Sequence, residues 1–220
     1  CRRMNSLPPR LLDGYAAFTE GRLLYERGRY RDLAETGQKP EIMVVGCCDS
    51  RCAPETIFDA GPGELFVVRN VANLVPPYAP DGEYHSTSAA LEFGVMGLRV
   101  KHVVVLGHGR CGGISAFRSP GAEPLSPGDF IGKWITLIEP AAQVLACLEV
   151  DPAEDPQTAL ERASIRQSLA NLRTFPCVRE LEQRGRLALH GAWFDISTGE
   201  LQVLDQDSGT FAPVAARRPA

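Results

Sequence analysis

Two hydrophobic patterns take turns along this chain. Short, nearly unbroken apolar runs alternate with longer stretches in which apolar residues return every three or four positions. The runs at Ile42–Gly46, Leu65–Arg69 and Val103–Leu106 are rich in Val, Ile and Leu. Strands that are apolar without alternation are buried on both faces, which predicts a parallel sheet. Tyr84 to Gly97 has helical spacing, with Ala89, Ala90, Phe93 and Met96 as its apolar positions. Prolines and glycines between Arg118 and Gly128 predict a loop, followed by two helices at about 129–149 and 156–173. Leu187–Asp195 and Leu201–Asp205 read as a hairpin joined through Thr198-Gly199. Leu11 to about Leu33 is helical by the same spacing, and Gly21 and Gly28 are expected to break it. Strands alternating with helices predict an α/β fold.

Composition narrows the function classes. A chain of 220 residues is most simply one domain. A net charge of −4 without a basic stripe argues against a nucleic-acid partner. No run approaches the ~20 apolar residues that span a bilayer, so no membrane partner is expected. Behind Arg2-Arg3 comes Asn5-Ser6-Leu7-Pro8-Pro9, which is not an apolar secretory core. A cytoplasmic protein is the expectation, with Met4 as the natural start and Cys1 the mark of a clipped or mis-started chain. Seven cysteines, an odd number, do not make a disulfide framework in a chain of this size. Cys147 and Cys177 sit in apolar helical patterns and are expected to be buried.

The remaining cysteines carry the chemistry. Cys47-Cys48-Asp49-Ser50-Arg51 follows the first strand, and His108-Gly109-Arg110-Cys111 follows the third. Side chains just past the ends of parallel strands converge on the crevice where open α/β sheets bind ligands. Two thiolates and an imidazole there suit Zn²⁺ and leave a fourth position for chemistry, which predicts a catalytic zinc on Cys47, His108 and Cys111. Strand alternation turns Cys48 away from Cys47 and Asp49, so Cys48 is expected to be a buried thiol behind the site. Cys52 is assigned no metal role. His85, His102 and His190 lack such partners and are expected to serve packing or surface. Gly107, Gly109 and Gly112 also fit a dinucleotide fingerprint, but that motif needs an acidic residue ending a strand ~20 residues on. Ser126-Pro127-Gly128-Asp129 stands there instead, in a loop, so the match is read as chance.

The series C-x-D-S-R, then Arg69-Asn70-Val71-Ala72-Asn73 as R-N-x-A-N, then Gly107-His108-Gly109-Arg110-Cys111-Gly112-Gly113 as G-H-x-x-C-G-G, resembles the β-class carbonic anhydrases in order and spacing from about Pro40 to Gly113. The resemblance implies reversible hydration of CO₂ to bicarbonate and a proton, by attack of zinc-bound hydroxide. It also implies a mostly parallel four-stranded sheet with an antiparallel edge strand from the C-terminal hairpin. An N-terminal helical arm, 1–36, would pack on a second subunit, with the zinc-binding core in 37–220. The active-site cleft would lie at the interface of a homodimer or a multiple of it.

Within that family Asp49 and Arg51 are the catalytic pair. Zinc with two thiolates and one imidazole carries no net charge, so its water is less acidic than water on a tris-histidine zinc, whose pKa is ~7. Asp49 would accept a hydrogen bond from the hydroxide and aim its lone pair at CO₂, while Arg51 keeps Asp49 in place and ionised. In a closed form of the family Asp49 itself binds zinc. Closed-prone members resemble one another in a Trp three residues before the first Cys ligand and a Val directly after the Arg. Here those positions are Val44 and Cys52, which favours the open type. Gln38 matches the open-type pocket glutamine and would position a substrate oxygen. Phe66 and Val71 would give CO₂ an apolar wall, Gly112 belongs to the same pocket, and Phe93 stands where many open-type members have Tyr. Two rival readings keep the zinc: a hydrolase of another heterocumulene such as CS₂ or COS, and an inactive zinc-stabilised binding or regulatory domain. Asp49 and Arg51 argue against the second rival, because a structural zinc needs neither.

Overall fold

In the computed structural model, which describes residues 7–81, 85–119, 121, 123–148 and 154–214, the apolar runs become the centre of one six-stranded sheet of order β2-β1-β3-β4-β5-β6. Strands β1 (Ile42–Cys47), β2 (Leu65–Asn70), β3 (His102–His108) and β4 (Ala188–Phe194) are parallel. β5 (Leu201–Leu204) and β6 (Phe211–Pro213) add two antiparallel strands at one edge. The expected hairpin is β4–β5, with Gly199 at φ +76° in its turn, a conformation only glycine adopts without strain. β6 extends the edge beyond the single antiparallel strand expected.

The strand order positions the site. From β1 the chain steps outward to β2, then returns past β1 to lay down β3 on the other side. β1 and β3 are therefore neighbours whose following loops diverge, and they leave a crevice at their carboxyl ends. Met43 pairs with Val103 and Val45 with Val105, and all four are fully buried in the main core, with Ile165, Leu169 and Leu172 of α8 (Pro156–Leu172) packed against them.

The helices differ from expectation where proline and glycine decide. α3 (Pro54–Ile57) is a single turn after β1. α4 (Ser86–Glu92) runs on as a wider π-helical turn over Phe93–Leu98; the expected start at Tyr84 lies outside the described residues. A Cβ on Gly94 would come within 2.8 Å of Met43 Sδ, so glycine lets this helix sit close on the sheet. α5 (Gly112–Phe117) follows β3. The single helix expected at 129–149 is instead α6 (Phe130–Ile135), a 3₁₀ turn (Thr136–Ile138) and α7 (Glu139–Ala146). Pro140 cannot donate to Thr136, and its ring crowds that carbonyl, so the helix restarts at α7. Pro176 likewise opens α9 (Pro176–Gln183), which leads into β4.

The chain divides into two compact units, Cys1–Lys39 and Pro40–Ala220. The first holds α1 (Pro9–Glu20) and α2 (Arg22–Thr36), hinged at Gly21. Gly28 does not interrupt α2, since one glycine costs a helix only ~1 kcal/mol. Neither helix contains a buried residue, and Leu11, Leu12, Tyr15, Leu24 and Tyr25 are all exposed. No described helix is long and apolar enough to cross a membrane.

Candidate metal centre

Cys47 ends β1, His108 ends β3 and Cys111 lies three residues further, just before α5. Their candidate ligand atoms all lie within 4.8 Å of one another, and all three residues are buried. The His108 ring is set by its neighbour: Nδ1 lies 2.9 Å from the carbonyl oxygen of Gly109, which can only accept. Nδ1 therefore carries a hydrogen, which leaves Nε2 as the ring position that a metal would take. Nε2 is buried and has no hydrogen-bond partner, a costly state for a polar atom unless something else occupies the position.

The electrostatics agree with this donor set. A hydrogen bond from Cys111 draws the Cys47 thiol down to about 4, against burial, with His108 and the Asp49 and Ala72 amides helping. The Cys111 thiol is pushed up, first by that same bond to Cys47 and then by burial, so the pair holds a thiolate at Cys47. Burial acts against a charged His108, but the sulfurs of Cys47 and Cys52 outweigh it and raise the imidazole to about 10. A cation is favoured at this point, and two sulfurs with one imidazole fit zinc.

The R-N-x-A-N stretch builds the frame. Arg69 donates from Nε to Cys47 O (2.7 Å) and from Nη2 to Asp49 O (2.7 Å), pinning the loop after β1. Asn70 accepts from Leu74 N and donates to Leu74 O, both at 2.8 Å, closing a tight turn. Inside the turn Ala72 (φ +64°) and Asn73 (φ +49°) are left-handed, and the Ala72 amide points at Cys47 Sγ, 3.4 Å away. Trp134 donates to Val71 O at 2.8 Å and tethers the turn to α6.

Asp49 and Arg51 form a two-pronged pair at the rim, and Asp49 Oδ2 stands 3.9 Å from His108 Nε2. The Arg51 guanidinium holds the Asp49 carboxyl well below the usual carboxylate range. Val71 lies beside Gly113, and nothing lies within 4 Å of where a Cβ on Gly112 would stand. Phe66 and Phe93 stack on each other at 5.8 Å, but Phe66 sits opposite Met43, four residues before Cys47 and therefore ~13 Å away along the strand. They are not brought to this chain's own cluster, and Gln38 belongs to the other compact unit. Cys48 is exposed rather than buried, and it is not among the three residues of the cluster. Cys147 is exposed too, past the end of α7, and Cys177 is half-buried. Cys52 is buried and close enough to His108 to act on its charge.

The chain matches the carbonic anhydrase family over residues 42–201, most of its length. It belongs to the β-class carbonic anhydrases. A carbonic anhydrase of Pseudomonas aeruginosa is 35% identical over 205 residues, covering 93% of this chain and 91% of that protein. The β-carbonic anhydrase CcaA superposes with a TM-score of 0.82 at 29% identity, covering 94% of this chain and 92% of that one. A tetrameric β-carbonic anhydrase of the ascomycete Sordaria macrospora gives 0.72 at 29% identity, covering 94% and 98%. The three motifs from which the resemblance was read supply the cluster and its frame in this β-carbonic anhydrase fold. The sequence reading gave no role to Arg69, Trp134, Gln157, Glu161 or Trp193, each of which supports the cluster from behind. A signal existed for Glu161: a charged residue in α8 on the same stripe as Ile165 and Ser168, both buried.

Proposed function

We propose that this chain catalyses the reversible hydration of CO₂ to bicarbonate and a proton, with zinc held by Cys47, His108 and Cys111 and with Asp49 kept off the metal by Arg51. The observation that carries the reading is the buried, unpartnered Nε2 of His108 facing two cysteine sulfurs, with a pinned carboxylate 3.9 Å away. Zinc bound there supplies a Lewis acid that makes a nucleophile of water near neutral pH. Asp49 Oδ2, 3.9 Å from His108 Nε2, would accept an O–H there and orient the attacking oxygen toward CO₂. Arg51 keeps Asp49 ionised and aimed, and Arg69 holds the backbone on which both stand. Val71 offers an apolar wall, and the open space over Gly112 leaves room for substrate.

The working unit in this proposal is a homodimer or a multiple of it, each chain being a single domain with an N-terminal helical arm. The uncovered apolar residues of α1 and α2 support it, as does the distance of the Phe66–Phe93 pair from its own cluster. Phe66 and Phe93 would then complete the pocket of a second copy. A reducing compartment such as the cytoplasm suits the free cysteines Cys47, Cys48, Cys52, Cys111, Cys147 and Cys177.

Stopped-flow CO₂ hydration tests the reading. Zinc-loaded protein should accelerate the reaction, chelation should return it to the uncatalysed rate, and added zinc should restore it. No acceleration by protein of full zinc content rejects the assignment.

A further inference from the structure

Cys111 is held from behind by a carboxylate. Glu161 of α8 is only 3% exposed, yet no guanidinium or ammonium makes a hydrogen bond or ion pair with it among the described residues. Its Oε1 accepts from the Cys111 amide at 2.9 Å and from Gln157 Nε2 at 3.1 Å. Its Oε2 accepts the indole N–H of Trp193, on β4, at 3.0 Å. Gln157 Nε2 also reaches the carbonyl of Cys111 at 3.2 Å. The Cys111 amide therefore ends on α8, its carbonyl is shared between Gln157 of α8 and the Ser115 amide of α5 at 3.0 Å, and α8 is tied through the same carboxylate to β4.

Burying a carboxylate is costly unless its lone pairs are used, and here three N–H groups converge on it. The arrangement demands an acceptor at each oxygen. A glutamine of the same shape offers one oxygen and one NH₂. Whichever way it turns, the NH₂ meets either the Cys111 amide or the Trp193 indole, donor against donor. Size alone would admit Gln at this position; the hydrogen-bond pattern does not.

We propose that Glu161 is a positioning residue of the metal centre: by fixing the main chain of Cys111 between α8 and β4, it sets where the Cys111 sulfur stands relative to Cys47 and His108. The proposal rests on the reading of these three residues as metal ligands. Glu161 touches neither substrate nor reacting atoms, so its effect passes through Cys111 alone. Partners that orient metal ligands change metal affinity or activity by about 10- to 100-fold when removed.

The test uses full-length protein in its zinc form and with cobalt(II) in place of zinc. Cobalt makes the thiolate-to-metal charge-transfer bands visible, so they report sulfur geometry directly. Glu161→Gln should release zinc to a chelator about 10- to 100-fold faster and shift the cobalt bands, with unchanged far-ultraviolet circular dichroism. The double variant Glu161→Gln with Trp193→Phe removes the opposing donor and lets the glutamine oxygen face Cys111. It should recover most of the release rate and the wild-type bands. A Glu161→Gln protein with wild-type release and spectrum overturns the proposal, as does a double variant no better than the single. If the single variant is insoluble, the double variant decides alone: native cobalt bands support the positioning role and perturbed bands overturn it. Failure of the wild-type protein to take up zinc would instead overturn the metal-centre reading on which this rests.

Discussion

Arg51 closes on Asp49 with both prongs of its guanidinium, Nε 2.9 Å from Oδ1 and Nη2 2.7 Å from Oδ2. The Arg51 amide adds a third bond to Oδ1 at 3.0 Å, and Nη2 also reaches the Arg110 carbonyl at 3.2 Å. Two-pronged pairing fixes the plane of a carboxylate as well as its charge. Asp49 is thus a restrained group beside the cluster, turned by its partner and not free to wander into it.

Asp49→Ala should keep its zinc and lose about 10²-fold in kcat, the usual scale for a group that orients or exchanges a proton. Arg51→Ala should differ in kind, because the released carboxylate has the His108 cluster within reach. A crystal structure of that variant near neutral pH should show Asp49 turned onto the metal. An unmoved Asp49 would mean that Arg51 is not the restraint.

Metal content gives a separate check. Purified protein should carry about one zinc per chain by elemental analysis, because one buried set of three ligands is present among the described residues. His108→Ala or Cys111→Ala should lose both zinc and CO₂ hydration. Full occupancy in either variant would show that the metal is held elsewhere.

The strands and the cluster of Cys47, His108 and Cys111 were legible because both follow from local rules. An unbroken apolar run bounded by Gly46 or Gly107 reads as a buried strand, and the residue directly after each glycine, Cys47 or His108, stands at the strand end where the crevice opens. The roles of the supporting residues were not legible, because they act across the chain. Nothing around Glu161 in sequence points to Cys111, fifty residues earlier, and Arg69 reveals its role only once β2 lies beside β1. Periodicity also overreached: it ran one helix through Pro140 and hid Cys147 and Cys48 in a core that neither reaches. β6 was missed because Phe211–Pro213 is too short to show an alternation.

Gly113 should not tolerate a methyl group. A Cβ there would lie 2.8 Å from Val71 Cγ1 and 3.0 Å from Ala72 Cβ, against the turn that offers its amide to Cys47. Gly113→Ala should lower stability by about 1–3 kcal/mol, the range for overpacking, and should weaken zinc retention as well. Gly112→Ala is the control. Nothing lies within 4 Å of its Cβ, so thermal unfolding should show a neutral or slightly stabilising change. Equal losses in the two variants would remove the steric argument.

The arm is expected to be covered in the assembled protein. α1 and α2 leave Leu11, Leu12, Tyr15 and Leu24 exposed, more apolar surface than a stable lone helix pair presents to water. Deleting the residues before Gly28 should give poorly soluble or dissociated protein in sedimentation velocity. A stable, active monomer after that deletion contradicts the dimer.

α8, which brings Glu161 to Cys111, begins at a charged cap. Asp155 Oδ2 accepts from the Thr158 amide at 2.9 Å and from its hydroxyl at 3.0 Å, satisfying a donor the helix cannot. The Thr158 bonds hold the Asp155 carboxyl below its ordinary value, with Arg118 adding a smaller pull. Its folded pKa is therefore depressed, and the stability it confers is complete above the unfolded value of ~3.9 and disappears as pH falls through the folded one. Asp155→Ala should cost about 1 kcal/mol at pH 7, the scale for N-caps, at the lower end because the side chain faces water. The gap from wild type should close below pH ~4. Asp155→Asn caps with an uncharged oxygen, so it should keep most of the stability without that pH dependence. Urea melts at pH 7 and pH 3 decide the matter: a gap of the same size at both would show that the ionised carboxylate is not what starts the helix.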